Sequence, residues 1–148
     1  MEVFVGADHR GYEVKNRLMS SLGAKYQITD LGPEQLDPDD DYNDIAIKVV
    51  KAVLAHPGSF GILICGSAHG VAIQANRFKG IRAISAYDEK LAQIGREHND
   101  ANVLCLSADF LDDNKIDSIA NIFLNTNFSG EERHKRRIAK LDQMADEI

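Results

Sequence analysis

Apolar residues gather in five short runs, at 3–7, 26–30, 60–65, 81–86 and 103–107, rich in β-branched, aromatic and other apolar side chains. Runs of that length predict strands. Between and after them, at 12–22, 43–55, 71–76, 89–98 and 114–124, apolar positions recur with helical spacing, which predicts amphipathic helices. Strands separated by helix-length connections imply right-handed crossovers and a parallel sheet covered on both faces. The expected class is α/β: a three-layer α/β/α sandwich, Rossmann-like, around a five-stranded parallel sheet, with functional groups at the strand C-termini. Two segments stand outside that pattern. At 31–41, Pro33 and Pro38 interrupt regular structure while Asp37, Asp39, Asp40 and Asp41 crowd together, which reads as a solvated acidic loop. From Gly130 onward, Arg133, His134, Lys135, Arg136 and Arg137 open a further amphipathic helix.

Length and charge narrow the possibilities. A chain of 148 residues with 44% hydrophobic content can bury one sizeable core, so a single domain spanning 1–148 is expected. The formal charge of −6 argues against a general affinity for nucleic acid or an anionic membrane, both of which need a basic face. No segment approaches the roughly 18 consecutive apolar residues of a membrane helix. The start MEVFVGADHR lacks the basic and apolar regions of a secretory leader, and Cys65 and Cys105 both lie in apolar runs. These features point to a cytoplasmic protein with free thiols.

Candidate chemistry collects where the third strand ends. The stretch GILICGSAHG runs directly into VAIQAN, so a thiol, a hydroxyl and two glycines share one strand-to-helix turn. Backbone N–H groups at such a turn face the strand end and can hold a developing oxyanion, and the same field is expected to lower the pKa of Cys65. Taken alone, Cys65 is as readily a buried apolar cysteine; the adjoining turn shifts it toward function. Cys105 has no such turn and is assigned to the core. The first strand ends in GADHRG, bringing Asp8 and His9 to the mouth of the first crossover. Asp8 is equally well explained as a cap for the helix that follows. GREHNDANVL delivers His98, Asn99 and Asp100 to the loop before the fifth strand, where a histidine often serves only as a helix-end partner. There is no HExxH, CxxC or tight ligand spacing for a metal, and no GxGxxG after the first strand for a nicotinamide cofactor.

In order along nearly the whole chain, GADHRGY, DYNDIA, GILICGSAHG, ANRFKGIRA, EHNDANVL and GEERHKRR resemble the ribose-5-phosphate isomerase B family, which includes galactose-6-phosphate and allose-6-phosphate isomerases. The resemblance implies an aldose-ketose isomerase acting on a phosphorylated sugar through an ene-diol, with no metal or nucleotide cofactor. It also implies a homodimer in which each site is completed by the neighbouring subunit. Cys65 matches the family's base at C2, Ser67 the hydroxyl that moves protons between O1 and O2, and His98 the residue that opens the furanose ring. The turn containing Gly66, Ala68, His69 and Gly70 matches the oxyanion-holding segment. Asp8, Tyr42 and Asn99 match sugar contacts, and His9, Arg133 and Arg137 match phosphate contacts.

Some positions depart from that pattern. Ala68 stands where the family usually has glycine, so a positive φ there would strain against a Cβ. His69 adds a titratable group beside the turn, with solvent its favoured surroundings. Val71 occupies the place of a glutamate base used by some relatives, and Asp109 that of a phosphate-binding arginine, a reversal expected to weaken phosphate binding. Other substrates, phosphorylated or free, therefore stay open. Two rivals remain. A phosphatase loop would need an arginine shortly after the turn, where the chain has Val71 and Ala72. A non-catalytic sugar-phosphate-binding subunit would keep the pocket without needing Cys65, Ser67 and His98 together.

Overall fold

The computed structural model describes residues 1–146. Its elements run β1 (Glu2–Ala7), α1 (Tyr12–Leu22), β2 (Gln27–Asp30), α2 (Tyr42–Ala55), β3 (Phe60–Cys65), α3 (His69–Ala75), β4 (Ala83–Ser85), α4 (Glu89–Asn99), β5 (Val103–Ser107), α5 (Asp113–Asn125) and α6 (Glu132–Asp146). The five strands form one parallel sheet in the order β2-β1-β3-β5-β4, the sandwich expected from the alternation. The run at 81–86 yields the shortest strand. Ile81 N–H closes a turn onto the Phe78 carbonyl and Arg82 N–H turns to the Asn102 side chain, so pairing begins only at Ala83.

Strand order decides which face each helix covers. From β1 to β2 and from β4 to β5 the chain steps one way across the sheet; from β2 to β3 and from β3 to β4 it steps the other way. Right-handed crossovers then place α1 and α4 on one face and α2 and α3 on the opposite face. The core divides accordingly. Val3, Val5, Ile62, Ile64, Leu104 and Leu106 pack with Leu18, Ala92, Ile116 and Phe123. Phe4, Leu63, Cys65, Val103 and Cys105 pack with Ile45, Val49 and Val71. Alternate residues of each central strand thus serve opposite layers, the period-two rule of a sheet buried on both sides.

Helix starts are chosen by local chemistry. The Asp88 and Asp112 carboxylates accept from Leu91 N–H and Lys115 N–H at 2.8 Å, capping α4 and α5. A buried ion pair anchors the other edge: Lys15 Nζ, its side chain 1% exposed, donates to both Asp30 oxygens at 2.8 and 2.6 Å and to the Pro33 carbonyl at 3.0 Å. That pair ties α1 to the end of β2 and to the root of the acidic loop. Among the described residues, no helix is long and apolar enough to cross a membrane.

Candidate active site

The order in which the chain adds strands reverses between β1 and β3, and a cleft of about 320 Å³ opens at the C-terminal ends of those parallel strands. It is lined by Asp8, Arg10, Tyr42, Cys65, Gly66, Ser67, Gly70 and Asp109. Cys65 is the last residue of β3 and faces the α2/α3 layer, 4% exposed. Its sulfur accepts the Ala68 N–H at 3.2 Å. Burial pushes the Cys65 thiol above its ordinary value of 9.0, and the opposing N–H groups of Val71, Ala68 and Ser67 do not overcome it. This corrects the expectation that the turn would lower the thiol: the sulfur lies too deep for the short α3 to compensate its lost hydration. Cys105 is a fully buried core thiol, also pushed up by burial.

The turn after Cys65 is rigidly held. Ser107 Oγ donates to the Gly66 carbonyl at 2.6 Å, Asp109 N–H reaches the same oxygen at 3.1 Å, and Tyr87 Oη donates to the Ser67 carbonyl. Ser85 Oγ donates to the Ala68 carbonyl at 3.1 Å. Ala68 adopts φ 67° and ψ −9°, the left-handed region that glycine occupies without strain, so the turn keeps its shape with an alanine in that place. Such a residue carries strain of order 1–2 kcal/mol. Gly70 has its own steric reason: a Cβ there would stand 2.7 to 3.0 Å from three Tyr42 ring carbons. Tyr42 can therefore lie flat against the turn and form one wall of the cleft. His69 is exposed, its ring 6.2 Å from that of Tyr87.

At the end of β1, Asp8 is 6% exposed and its Oδ1 accepts the N–H groups of Arg10 and Gly11 at 3.0 and 3.1 Å. Those bonds brace the loop that leads into α1 and do not cap the helix, where Gly11 stands at the N-terminus with no side-chain partner; the Asp8 carboxyl lines the cleft. Burial raises the Asp8 pKa, opposed by the Gly11 N–H. His9 turns the other way. Both its N–H and its Nδ1 meet Asp40 Oδ1, at 3.1 and 2.7 Å, and that hydrogen bond raises the His9 pKa. Most of the acidic loop is exposed as expected, but Asp40 is not: its side chain is 13% exposed and Oδ2 is buried without a partner.

The remaining candidates lie on the other rim of the sheet. His98 and Asn99 end α4, where the Asn99 carbonyl accepts from Arg82 Nε at 3.0 Å and Asn102 carbonyl accepts from Gly61 N–H at 2.9 Å. These contacts belong to the starts of β3, β4 and β5, about 13 Å from the strand C-termini at about 3.3 Å per residue. His98 stacks on His134 of α6, centroids 4.5 Å apart and planes 13° from parallel. His134 is buried, and burial followed by repulsion from His98 and Arg133 lowers its pKa. Arg133 pairs with Glu131 at 2.8 Å, and both Arg133 and Arg137 are exposed. One chain therefore carries two separated groups of candidates, Asp8, His9, Tyr42, Cys65 and the 66–70 turn on one rim and His98, Asn99, Arg133 and Arg137 on the other.

Sequence reasoning missed Asp40, Arg10 and the role of Asp109. Arg10 reaches over the end of β3, Nη2 to Asp109 Oδ2 at 2.5 Å and Nε to Oδ1 at 3.4 Å. The available signal was its place inside GADHRG, beside two residues already singled out.

Comparison with known proteins gives consistent results. Residues 3–141 match the model of a family described as Ribose/Galactose Isomerase. The chain is 43% identical over 140 residues to a probable ribose-5-phosphate isomerase B of Mycoplasma pneumoniae, covering 94% of this chain and 91% of that protein. A ribose-5-phosphate isomerase B structure from Clostridium thermocellum superposes with TM-score 0.95 at 33% identity, covering 99% of each chain. The Mycoplasma genitalium enzyme, solved with bound ribulose-5-phosphate, gives TM-score 0.90 at 39% identity, covering 99% of this chain and 97% of that one.

Proposed function

The chain belongs to the ribose/galactose isomerase family, and on that footing we propose that it is an aldose-ketose isomerase interconverting ribose 5-phosphate and ribulose 5-phosphate. The observation that carries the mechanistic reading is the turn itself: a thiol at a strand end, ringed by backbone N–H groups, with a hydroxyl two residues on.

A proton beside a carbonyl is weakly acidic, so a base must be close and the oxyanion stabilised as it forms. Cys65, as thiolate, takes the C2 proton of the open-chain aldose and returns it to C1. Ser67 carries protons between O1 and O2. The N–H groups of the 66–70 turn stabilise the ene-diolate, and their fixed carbonyl anchors mean that they need not reorganise when charge develops. Asp8 and Tyr42 hold sugar hydroxyls, and His9, whose protonated form the Asp40 hydrogen bond favours, meets the phosphate. Because burial disfavours the thiolate, only a small fraction of free chains hold it at neutral pH, which sets a reaction rate rising with pH.

Ring opening falls to His98, a further sugar contact to Asn99 and the rest of the phosphate clamp to Arg133 and Arg137, all of which lie too far away within one chain. We read the active form as a homodimer in which the distal rim of one subunit meets the cleft of the other. The exposed Leu141 on α6 and Ile73 on α3 support that reading, as apolar positions left open in a single chain. Two free thiols, one of them the base, fit a reducing cytoplasm.

The test is incubation of the protein in D2O with ribose 5-phosphate and a panel of other phosphorylated and free sugars, followed by NMR. Interconversion with deuterium entering at C2, abolished in Cys65→Ala with substrate affinity nearly intact, is the expected result. Binding without exchange would instead identify a non-catalytic subunit. Mixing inactive Cys65→Ala and His98→Asn chains should restore activity, since a mixed dimer holds one site free of both changes; no recovery would overturn the shared site.

A further inference from the structure

We propose that Arg10, aimed by Asp109, is a phosphate-binding residue of this cleft and a determinant of its preference for phosphorylated sugars. The inference rests on the isomerase reading and adds a residue to it. Among the described residues lining the cleft, Arg10 is the one cation, against the carboxyl groups of Asp8 and Asp109 and the thiol of Cys65. A phosphorylated sugar brings two negative charges and the ene-diolate another. Without Arg10 the lining would hold only acids, leaving His9 alone to offset their repulsion of such a ligand.

Geometry gives the guanidinium a fixed direction. Arg10 starts beyond β1, crosses above β3 and meets Asp109 beyond β5 through Nε and Nη2. A Cβ on Gly66 would lie 2.8 Å from Arg10 Nε and 2.9 Å from Asp109 Oδ2, so the pair rests directly on the glycine backbone. Asp109 is itself held, its N–H bonded to the Gly66 carbonyl at 3.1 Å. One edge of the guanidinium is occupied, while Nη1 takes no part in the pair and remains to meet an anion. His9 diverges toward Asp40 and Arg10 toward Asp109, so consecutive residues bracket the cleft from opposite sides.

A stabilising role does not explain the pair. The side chains are 55% and 32% exposed, and exposed ion pairs contribute little to folding. The expectation that Asp109 costs the site a cation is thereby reversed: the acid holds one in place.

The experiment compares wild type, Arg10→Ala, Arg10→Lys, Asp109→Ala, the single changes Arg10→Asp and Asp109→Arg, and the swapped pair that combines those two. It measures kcat and KM for ribose 5-phosphate, and binding of inorganic phosphate by calorimetry. Arg10→Ala should raise KM about tenfold or more, the scale of one lost charge-assisted hydrogen bond, with a smaller change in kcat. Phosphate affinity should fall in proportion. Lysine should recover part of both, Asp109→Ala should show a milder KM defect, and the swapped pair should exceed either of its single changes. KM and phosphate affinity within twofold of wild type in Arg10→Ala would overturn the proposal. If the wild type turns over no sugar, the isomerase reading fails, yet the phosphate titration still decides on Arg10: weakened binding in Arg10→Ala supports it and unchanged binding removes it.

Discussion

The Lys15–Asp30 pair is asymmetric, and the asymmetry dictates which partner is costlier to lose. Lys15 is 1% exposed, whereas Asp30 is 35% exposed on an edge strand. Asp30→Asn keeps the side-chain shape but leaves a sealed ammonium facing an amide and the Pro33 carbonyl. Breaking a buried pair in that way costs about 3–5 kcal/mol, and the low end applies because some acceptors survive. Lys15→Met removes the sealed charge, replaces it with a thioether of similar reach, and leaves a carboxylate that water can approach. Its expected cost is about 1 kcal/mol, the scale of a surface pair. For a chain of this size about 2–4 °C of Tm accompanies each kcal/mol, so Asp30→Asn should melt roughly 6–12 °C low and Lys15→Met roughly 2–4 °C low. The double variant should be more stable than Asp30→Asn alone, since no unpaired charge remains inside. Urea and thermal unfolding at one fixed protein concentration measure all three. A Lys15→Met loss equal to or greater than that of Asp30→Asn, or a double variant worse than either, would refute the reasoning.

Three further outcomes are expected. The Asp40 hydrogen bond raises the His9 pKa, so its stabilising contribution is complete below the unfolded histidine value of 6.5 and fades as pH climbs through the higher native one; KM for a phosphosugar should rise over that same climb, and Asp40→Asn should move the rise to lower pH, whereas an unmoved profile would remove Asp40 from the site. Alkylation of Cys65 by iodoacetamide should be slow at neutral pH and still accelerating beyond pH 9.0, the ordinary thiol value; a plateau below that pH would contradict the dominance of burial. Gly70→Ala should push the Tyr42 ring off the turn, raising KM severalfold with a Tm change of only a few degrees, because Tyr42 is 38% exposed; unchanged KM would show that the ring's place does not matter.

Most of the fold was legible because each strand and helix is announced by its own residues. The runs at 60–65 and 103–107 coincide with β3 and β5, since a doubly covered strand must be apolar throughout. The glycine-like position of Ala68 was legible too, but whether an alanine there keeps the left-handed turn was not. Long-range partnerships were not. His9 finds Asp40 31 residues away, and Arg10 finds Asp109 99 residues away. Nothing local distinguishes Asp40 from its acidic neighbours, and nothing in Asp109 announces an arginine until β1 and β5 are set on either side of β3. The thiol's direction of shift was misjudged for a related reason: its depth depends on how α2 and α3 close over the strand end, which a motif does not record.

Placing the basic helix and His98 on the rim opposite Cys65 gives the proposed dimer a thermodynamic property that a self-contained site would lack. A phosphosugar that touches both chains binds the pair and not the separated subunits, so occupancy and association become one linked equilibrium. Substrate then acts as an adhesive between protomers, dilution lowers specific activity without unfolding anything, and apparent affinity becomes a function of how much protein is in the tube.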